Sequence, residues 1–129
     1  MFTWGVRNDG RLGTEISEQD KKLMDQNPTE IYVSKPQVIQ FGAGVLIMKV
    51  SCGSTFSLAL EAKQGHVYAW GMGNSGGLGL GEINKTNTPI KIKVQKNGQP
   101  FTNIKDISCG AHHCLALDNS GICYSWGHG

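Results

Sequence analysis

The sequence predicts an all-β fold: antiparallel four-stranded blades of a β-propeller, about two of them in a partial array. Three observations carry that reading. The triplet Ser-Cys-Gly occurs twice, at Ser51-Cys52-Gly53 and Ser108-Cys109-Gly110, and each copy is followed by the same series of residues. In the first copy the series is Leu58-Ala59-Leu60, Gly65, Tyr68 and Trp70-Gly71; in the second it is Leu115-Ala116-Leu117, Gly121, Tyr124 and Trp126-Gly127. A third Trp-Gly stands at Trp4-Gly5, and Gly10 and Leu12-Gly13 beyond it match Gly76 and Leu78-Gly79 beyond Trp70. Repeats of about 50–60 residues that read strand-turn-strand belong to propellers or arrays. The segments between turn signals are also short and rich in β-branched and aromatic residues, as strands are.

Taken in chain order, residues 38–41, 47–52, 55–60 and 65–70 are the expected strands of the first copy. Those of the second are 90–94, 104–109, 113–117 and 122–126. Ile90-Lys91-Ile92-Lys93-Val94 alternates apolar and polar residues, the period of a half-buried strand. Lys63-Gln64-Gly65 and Asp118-Asn119-Ser120-Gly121 have hairpin length, with glycine available for a positive φ. Successive hairpins build a four-stranded antiparallel unit, one propeller blade. In such a unit Gly53 and Gly110 allow close backbone approach where the chain leaves a strand. Leu58 and Leu60, like Leu115 and Leu117, share a strand face and are expected to fill the layer between blades. Trp4-Gly5, Trp70-Gly71 and Trp126-Gly127 are structural repeat positions, each tryptophan offering a large apolar surface and one N–H that needs a partner. We read residues 1–129 as one propeller segment, with repeat 1 over about 4–70, repeat 2 over about 70–126 and an insertion at 14–35.

These residues resemble the repeat of the regulator of chromosome condensation family, a family of seven-bladed propellers. The resemblance rests on Ser108-Cys109-Gly110, Leu115-Ala116-Leu117, Gly121, Tyr124 and Trp126-Gly127, with the continuation Trp70-Gly71, Gly76, Leu78-Gly79 and Pro89. Two departures stand out. Twenty-two residues separate Gly13 from Pro36 where nine separate Gly79 from Pro89, and the second repeat carries the extra residues Lys96-Asn97-Gly98-Gln99-Pro100. A closed propeller needs at least four blades. The chain is therefore expected to be an excerpt of a longer propeller, or to be completed by partners that cover its open edges.

Composition narrows the function classes. A length of 129 residues suits one domain, and 12 Lys and Arg against 10 Asp and Glu give no basic footprint, so direct nucleic-acid binding is not expected. No apolar run approaches the roughly 18 residues of a membrane span, and the N-terminus has no signal-peptide pattern. The four cysteines form no spaced disulfide framework. An intracellular, reducing setting follows, in cytoplasm, cytoskeleton or nucleus and not in a secreted protein.

Candidate chemistry is weak throughout. Gly71-Met72-Gly73-Asn74-Ser75-Gly76 fits a dinucleotide fingerprint, but Gly77-Leu78-Gly79-Leu80-Gly81 is a poor start for the helix that must follow it. Cys109, His112, His113, Cys114 and Cys123 lack the tight ligand pairs of a zinc site, and Cys52 repeats Cys109 in register. No nucleophile has an orienting base and oxyanion hole. No catalytic, cofactor or metal residue is assigned, and the chain is not expected to be an enzyme.

The insertion is the least repetitive stretch. Residues 15–24 suit a short amphipathic helix ended by Asn27-Pro28, with Glu15, Glu18, Asp20, Lys21 and Lys22 as candidate partner contacts. Lys91, Lys93, Lys96 and Lys105 form a loose basic group read as a solvated strand face. The expected function is a protein–protein interaction scaffold built of propeller repeats. What the resemblance adds is guanine-nucleotide exchange on, or regulation of, a small GTPase; a regulatory propeller within a multidomain protein is the third reading.

Overall fold

The computed structural model describes residues 1–6, 10–15, 18, 32–73 and 76–128. Among them are nine strands: β1 (Phe2–Val6), β2 (Tyr32–Val38), β3 (Ile47–Cys52), β4 (Phe56–Glu61), β5 (Val67–Met72), β6 (Lys85–Lys91), β7 (Ile104–Cys109), β8 (His113–Asp118) and β9 (Cys123–Gly127). They form three antiparallel sheets in the orders β1-β2, β3-β4-β5-β6 and β7-β8-β9. The predicted class is therefore the observed one, and the middle sheet is a complete four-stranded meander. No helix among the described residues is long and apolar enough to cross a membrane.

The three tryptophans lie on β1, β5 and β9, so those strands are equivalent. Each sheet then shows a different part of one plan. The first holds the third and fourth strands, the second holds all four, and the third holds the first three. Strand β4 is buried along its whole length because a neighbouring sheet covers each of its faces. Leu58 and Leu60 face the third sheet, in a core with Val67, Ile104, Ile107 and Cys114. Ala59 faces the first sheet and packs with Ile39 and Trp70.

Pro36 and Pro89 fall inside β2 and β6, where a proline is tolerated only at an edge or a bulge. Both conditions hold. Each is the last strand of its sheet, and the register breaks between Thr3 and Gly5 and between Ala69 and Gly71, opposite the two prolines. Their missing N–H groups thus cost no ladder hydrogen bond.

Three strand-level expectations are corrected. The fourth strand of the middle sheet is Lys85–Lys91, not residues 90–94. From Lys93 the extra residues fold on themselves as a small hairpin, with Phe101 N donating to Lys93 O at 2.9 Å and Gln95 N to Gln99 O at 2.8 Å. Likewise β2 ends at Val38, and Ile39 and Phe41 beyond it turn inward beneath Trp70. Leu115 is exposed rather than packed between blades, because its face of β8 points away from the middle sheet.

Candidate functional site

Adjacent sheets are joined by one repeated latch. Trp70 Nε1 donates to Arg11 O at 3.1 Å, and Trp126 Nε1 donates to Gly77 O at 3.1 Å. The acceptor in each case lies in the loop that follows the preceding Trp-Gly. That loop comes close: a Cβ on Gly13 would stand 2.7 Å from Trp70 Nε1, and one on Gly79 would stand 2.9 Å from Trp126 Nε1. Both glycines also have positive φ, 71° and 67°, so no other residue fits without strain. A second donor shares each carbonyl, Ser57 Oγ to Arg11 O at 3.4 Å and Cys114 Sγ to Gly77 O at 3.5 Å.

An aromatic ring braces each tryptophan edge-on. Phe41 lies 5.4 Å from Tyr68 and 5.7 Å from Trp70; Phe101 lies 5.3 Å from Tyr124 and 5.7 Å from Trp126. These phenylalanines are equivalent in space although Phe41 and Phe101 stand at different distances in sequence from Pro36 and Pro89.

The other repeat glycines serve tight backbone approach. A Cβ on Gly53 would collide with the Phe56 ring and one on Gly110 with the His113 ring. Cβ atoms on Gly71 and Gly127 would meet Thr55 O and His112 O. Gly5 pairs with Val33 across β1 and β2. Trp4, by contrast, is 60% exposed.

The two junctions between sheets are open in complementary places. At the first, Trp70 is 1% exposed whereas Val50 is 47% exposed. At the second, Ile107, the counterpart of Val50, is 2% exposed while Trp126 is only partly buried. The first sheet has no strands over Val50, and the third has no fourth strand beside Trp126, among the described residues. A groove of about 680 Å³ results, lined by Ile92, Val94, Lys96, Phe101, Tyr124 and Trp126. The small hairpin forms one wall and the free edge of β9 the other.

The first strands of neighbouring sheets also meet. Cys109 N donates to Ser51 Oγ at 2.9 Å, Ser54 Oγ donates to Ala111 O at 2.9 Å, and Lys49 pairs with Asp106. The Lys49 ammonium holds the Asp106 carboxyl below its ordinary range.

Two carboxylates that sequence reasoning missed close equivalent hairpins. Glu61 accepts from Lys63 N at 2.7 Å and Gln64 N at 2.8 Å; Asp118 accepts from Ser120 N and Ile122 N, both at 2.9 Å. Tyr124 Oη donates to the second Asp118 oxygen at 3.1 Å. Burial pushes the Glu61 carboxyl up, but the backbone N–H groups outweigh it and hold the group low. The Ile122 N–H, with that of Ser120, does the same for Asp118, and burial and Asp118 raise Tyr124. Both carboxylates directly follow Leu-Ala-Leu, the signal by which the pair was findable.

The remaining candidates are scattered. Among the described residues no group of three or more His, Cys, Asp or Glu side chains is placed to hold a metal ion. The stretch from Gly76 makes a turn, with Gly79 N donating to Gly76 O at 3.0 Å, and an isolated bridge between Leu80 and Ile83; Asn74 and Ser75 lie outside the described residues. Glu15 and Glu18 are exposed, and Thr14 Oγ1 donates to Gln37 at 3.3 Å beside them. Asp20, Lys21, Lys22 and most of the expected helix lie outside the described residues. Lys93, Lys96 and Lys105 are exposed and Lys91 partly buried, but Lys93 falls past the end of β6, so Lys91 and Lys93 do not share a strand face.

Comparison with known proteins agrees with this geometry. The chain is 33% identical to the ultraviolet-B receptor UVR8 of Arabidopsis thaliana over 129 residues, covering 98% of this chain and 25% of the receptor. It is 31% identical to the RCC2 homologue of Danio rerio over 149 residues, covering 100% of this chain and 27% of that protein. With the human E3 ubiquitin-protein ligase HERC2 the identity is 30% over 131 residues, 100% of this chain and 2% of the ligase. The chain thus spans about a quarter or less of the length of these relatives. Among solved structures, human WBSCR16 superposes with a TM-score of 0.75 at 29% identity, over 98% of this chain and 29% of its own. Prp20p of Saccharomyces cerevisiae superposes with a TM-score of 0.72 at 22% identity, over 98% and 28%. The profile of the regulator of chromosome condensation (RCC1) repeat matches residues 1–60 and 64–117, and a second profile of that repeat matches 47–76. With the Trp-Gly latch, the blade plan and these matches in agreement, the chain belongs to the RCC1 repeat family.

Proposed function

We propose that this chain is a protein-interaction scaffold, a section of propeller that works within a larger assembly in an intracellular setting. One observation supports this above others: the groove between the 93–101 hairpin and the free edge of β9 has the form of a strand-binding slot. In the middle sheet the same position is filled by β6, which pairs Lys91 with Tyr68 and Ile90 with Ala69. An edge that offers unpaired N–H and C=O groups beside apolar pockets binds an extended polypeptide, the backbone giving affinity and the pockets selectivity. The strand comes from this polypeptide or from a partner. We also keep the 14–35 insertion, with Glu15, Glu18, Asp20, Lys21 and Lys22, as a second contact region, and propose repeat boundaries near 4–70 and 70–126.

A synthetic peptide of residues 84–93 is the direct probe. It should bind saturably and shift Trp126 fluorescence to the blue; a chain that ignores the peptide overturns the slot.

Guanine-nucleotide exchange is the second reading. It draws on the likeness to Prp20p, whose structure was described with its binding properties to Gsp1p and histones, a likeness that at 22% identity speaks for the fold. Release of labelled GDP from a panel of small GTPases separates the two: acceleration favours exchange, and no acceleration leaves the scaffold. A propeller serving a fused activity, as the ligase relatives suggest, is the third reading.

A further inference from the structure

Among the differences between the two first hairpins, one sets a pair of thiols face to face. Cys52 faces Ser57 across β3 and β4, whereas Cys109 faces Cys114 across β7 and β8. The turn bond from Gly110 N to His113 O makes the next pair inward a non-hydrogen-bonded one, where opposed side chains approach most closely. The two sulfurs stand 3.7 Å apart. Opposed residues at such a site have the backbone separation a disulfide requires. A small rotation about the side-chain bonds brings the sulfurs into bonding range.

We propose that Cys109 and Cys114 form a reversible thiol-oxidation site, closing a cross-strand disulfide when a peroxide is present. Cys109 is half-buried, next to the exposed turn at Ala111, His112 and His113, while Cys114 is buried. Access therefore assigns the roles. Cys109 meets the oxidant and Cys114 resolves it. The electrostatics agree: the Cys114 S–H and the Ser51 hydroxyl hold the Cys109 thiol below its ordinary range, and Cys109 together with burial pushes Cys114 up.

In the first step the Cys109 thiolate attacks one peroxide oxygen. The S–O bond forms, the O–O bond breaks, and the departing hydroxide takes a proton to become water. In the second, the Cys114 sulfur attacks Cys109 Sγ. The S–S bond forms, the S–O bond breaks, and the hydroxyl leaves with the Cys114 proton as a second water. Two thiols supply the two electrons that reduce one peroxide. Closure removes the one Cys114 proton, shared by Cys109 Sγ and Gly77 O, so the latch at Trp126 loses one of its two donors.

The test uses the whole chain, treated with hydrogen peroxide, then denatured and alkylated. Of four cysteines all are alkylated beforehand. Afterwards Cys109 and Cys114 should both be lost to the reagent, and a thiol reductant should restore them. Chymotryptic cleavage after Leu115 or Leu117 separates the pair from Cys123. In Cys114→Ser, which copies the Ser57 of the other hairpin, Cys109 should halt as a sulfenic acid trapped by dimedone. The proposal is overturned if Cys109 and Cys114 stay alkylatable under peroxide that oxidises exposed Cys52 or Cys123. It is equally overturned if Cys109 pairs with either of those instead.

Discussion

Trp70 and Trp126 occupy the same repeat position and donate to equivalent carbonyls over the same 3.1 Å, yet one is sealed and the other partly open. Val50 and Ile107 show the reverse, the earlier residue exposed and the later one buried. The latch residues, Leu-Gly and Trp-Gly, are the same at both junctions, so they do not set the difference. What sets it is which strands of the neighbouring sheet are present to cover each side chain. The latch makes a junction; the flanking strands make it dry.

The largest expected contrast lies in the apolar side chains. Trp70→Ala should destabilise by about 3–5 kcal/mol and Trp126→Ala by roughly half as much. Ile107→Ala should cost about 2–5 kcal/mol, while Val50→Ala should stay within about 1 kcal/mol, as exposed sites do. Urea unfolding of the four variants measures this, and equal losses within either pair would break the comparison.

A finer contrast comes from Gly10 and Gly76, both at positive φ. A Cβ on Gly10 would stand 2.7 Å from Asn87 Oδ1 on β6, while one on Gly76 would meet nothing within 4 Å. Gly76→Ala should therefore cost only the left-handed conformation, about 1–2 kcal/mol. Gly10→Ala should cost more, because β6 must also shift. If the order of the two midpoints in thermal unfolding is inverted, the difference in covering strands is not the cause.

Acid should act on both halves alike. Glu61 and Asp118 have carboxyls held below the ordinary range, so the folded chain binds fewer protons than the unfolded one. Their stabilisation is complete above the unfolded value, about pH 4, and is lost as pH falls through the folded values. Glu61→Gln and Asp118→Asn should each flatten the fall of thermal midpoint below that pH.

The smallest effect is expected at Ser57. Its 3.4 Å bond to Arg11 O is long, and Ser57→Ala should cost about 0.5–1.5 kcal/mol in unfolding measurements.

The residues legible in the sequence were those whose job is the same in every repeat and fixed by chain geometry. Trp-Gly, Ser-Cys-Gly and Leu-Gly stand at constant offsets because hairpins and tight loops have few allowed lengths. Phe41 and Phe101 escaped notice because they lie five residues beyond Pro36 but twelve beyond Pro89. Space, not spacing, makes them equivalent, and the 93–101 hairpin absorbs the difference. That hairpin also explains the misplaced strand at 90–94, since alternation in Ile90 to Val94 reads alike whether the second half joins the sheet or folds back. The groove was not legible at all, for no local pattern records which strands stand beside β9. Glu61 and Asp118 differ in length, which hid a shared backbone-capping role.

The indole latch has a direction. The middle unit extends the Gly77 carbonyl forward and receives the Arg11 carbonyl on its own Trp70 from behind, so its two faces are unlike and complementary. Contacts of this heterologous kind propagate. They close into a ring when the rotation per unit divides a full turn and otherwise run on as a helix or fibre. The latch runs the same way at both junctions, so a substitution that tilted the Trp70 or Trp126 indole would turn one sheet against the next in the same sense.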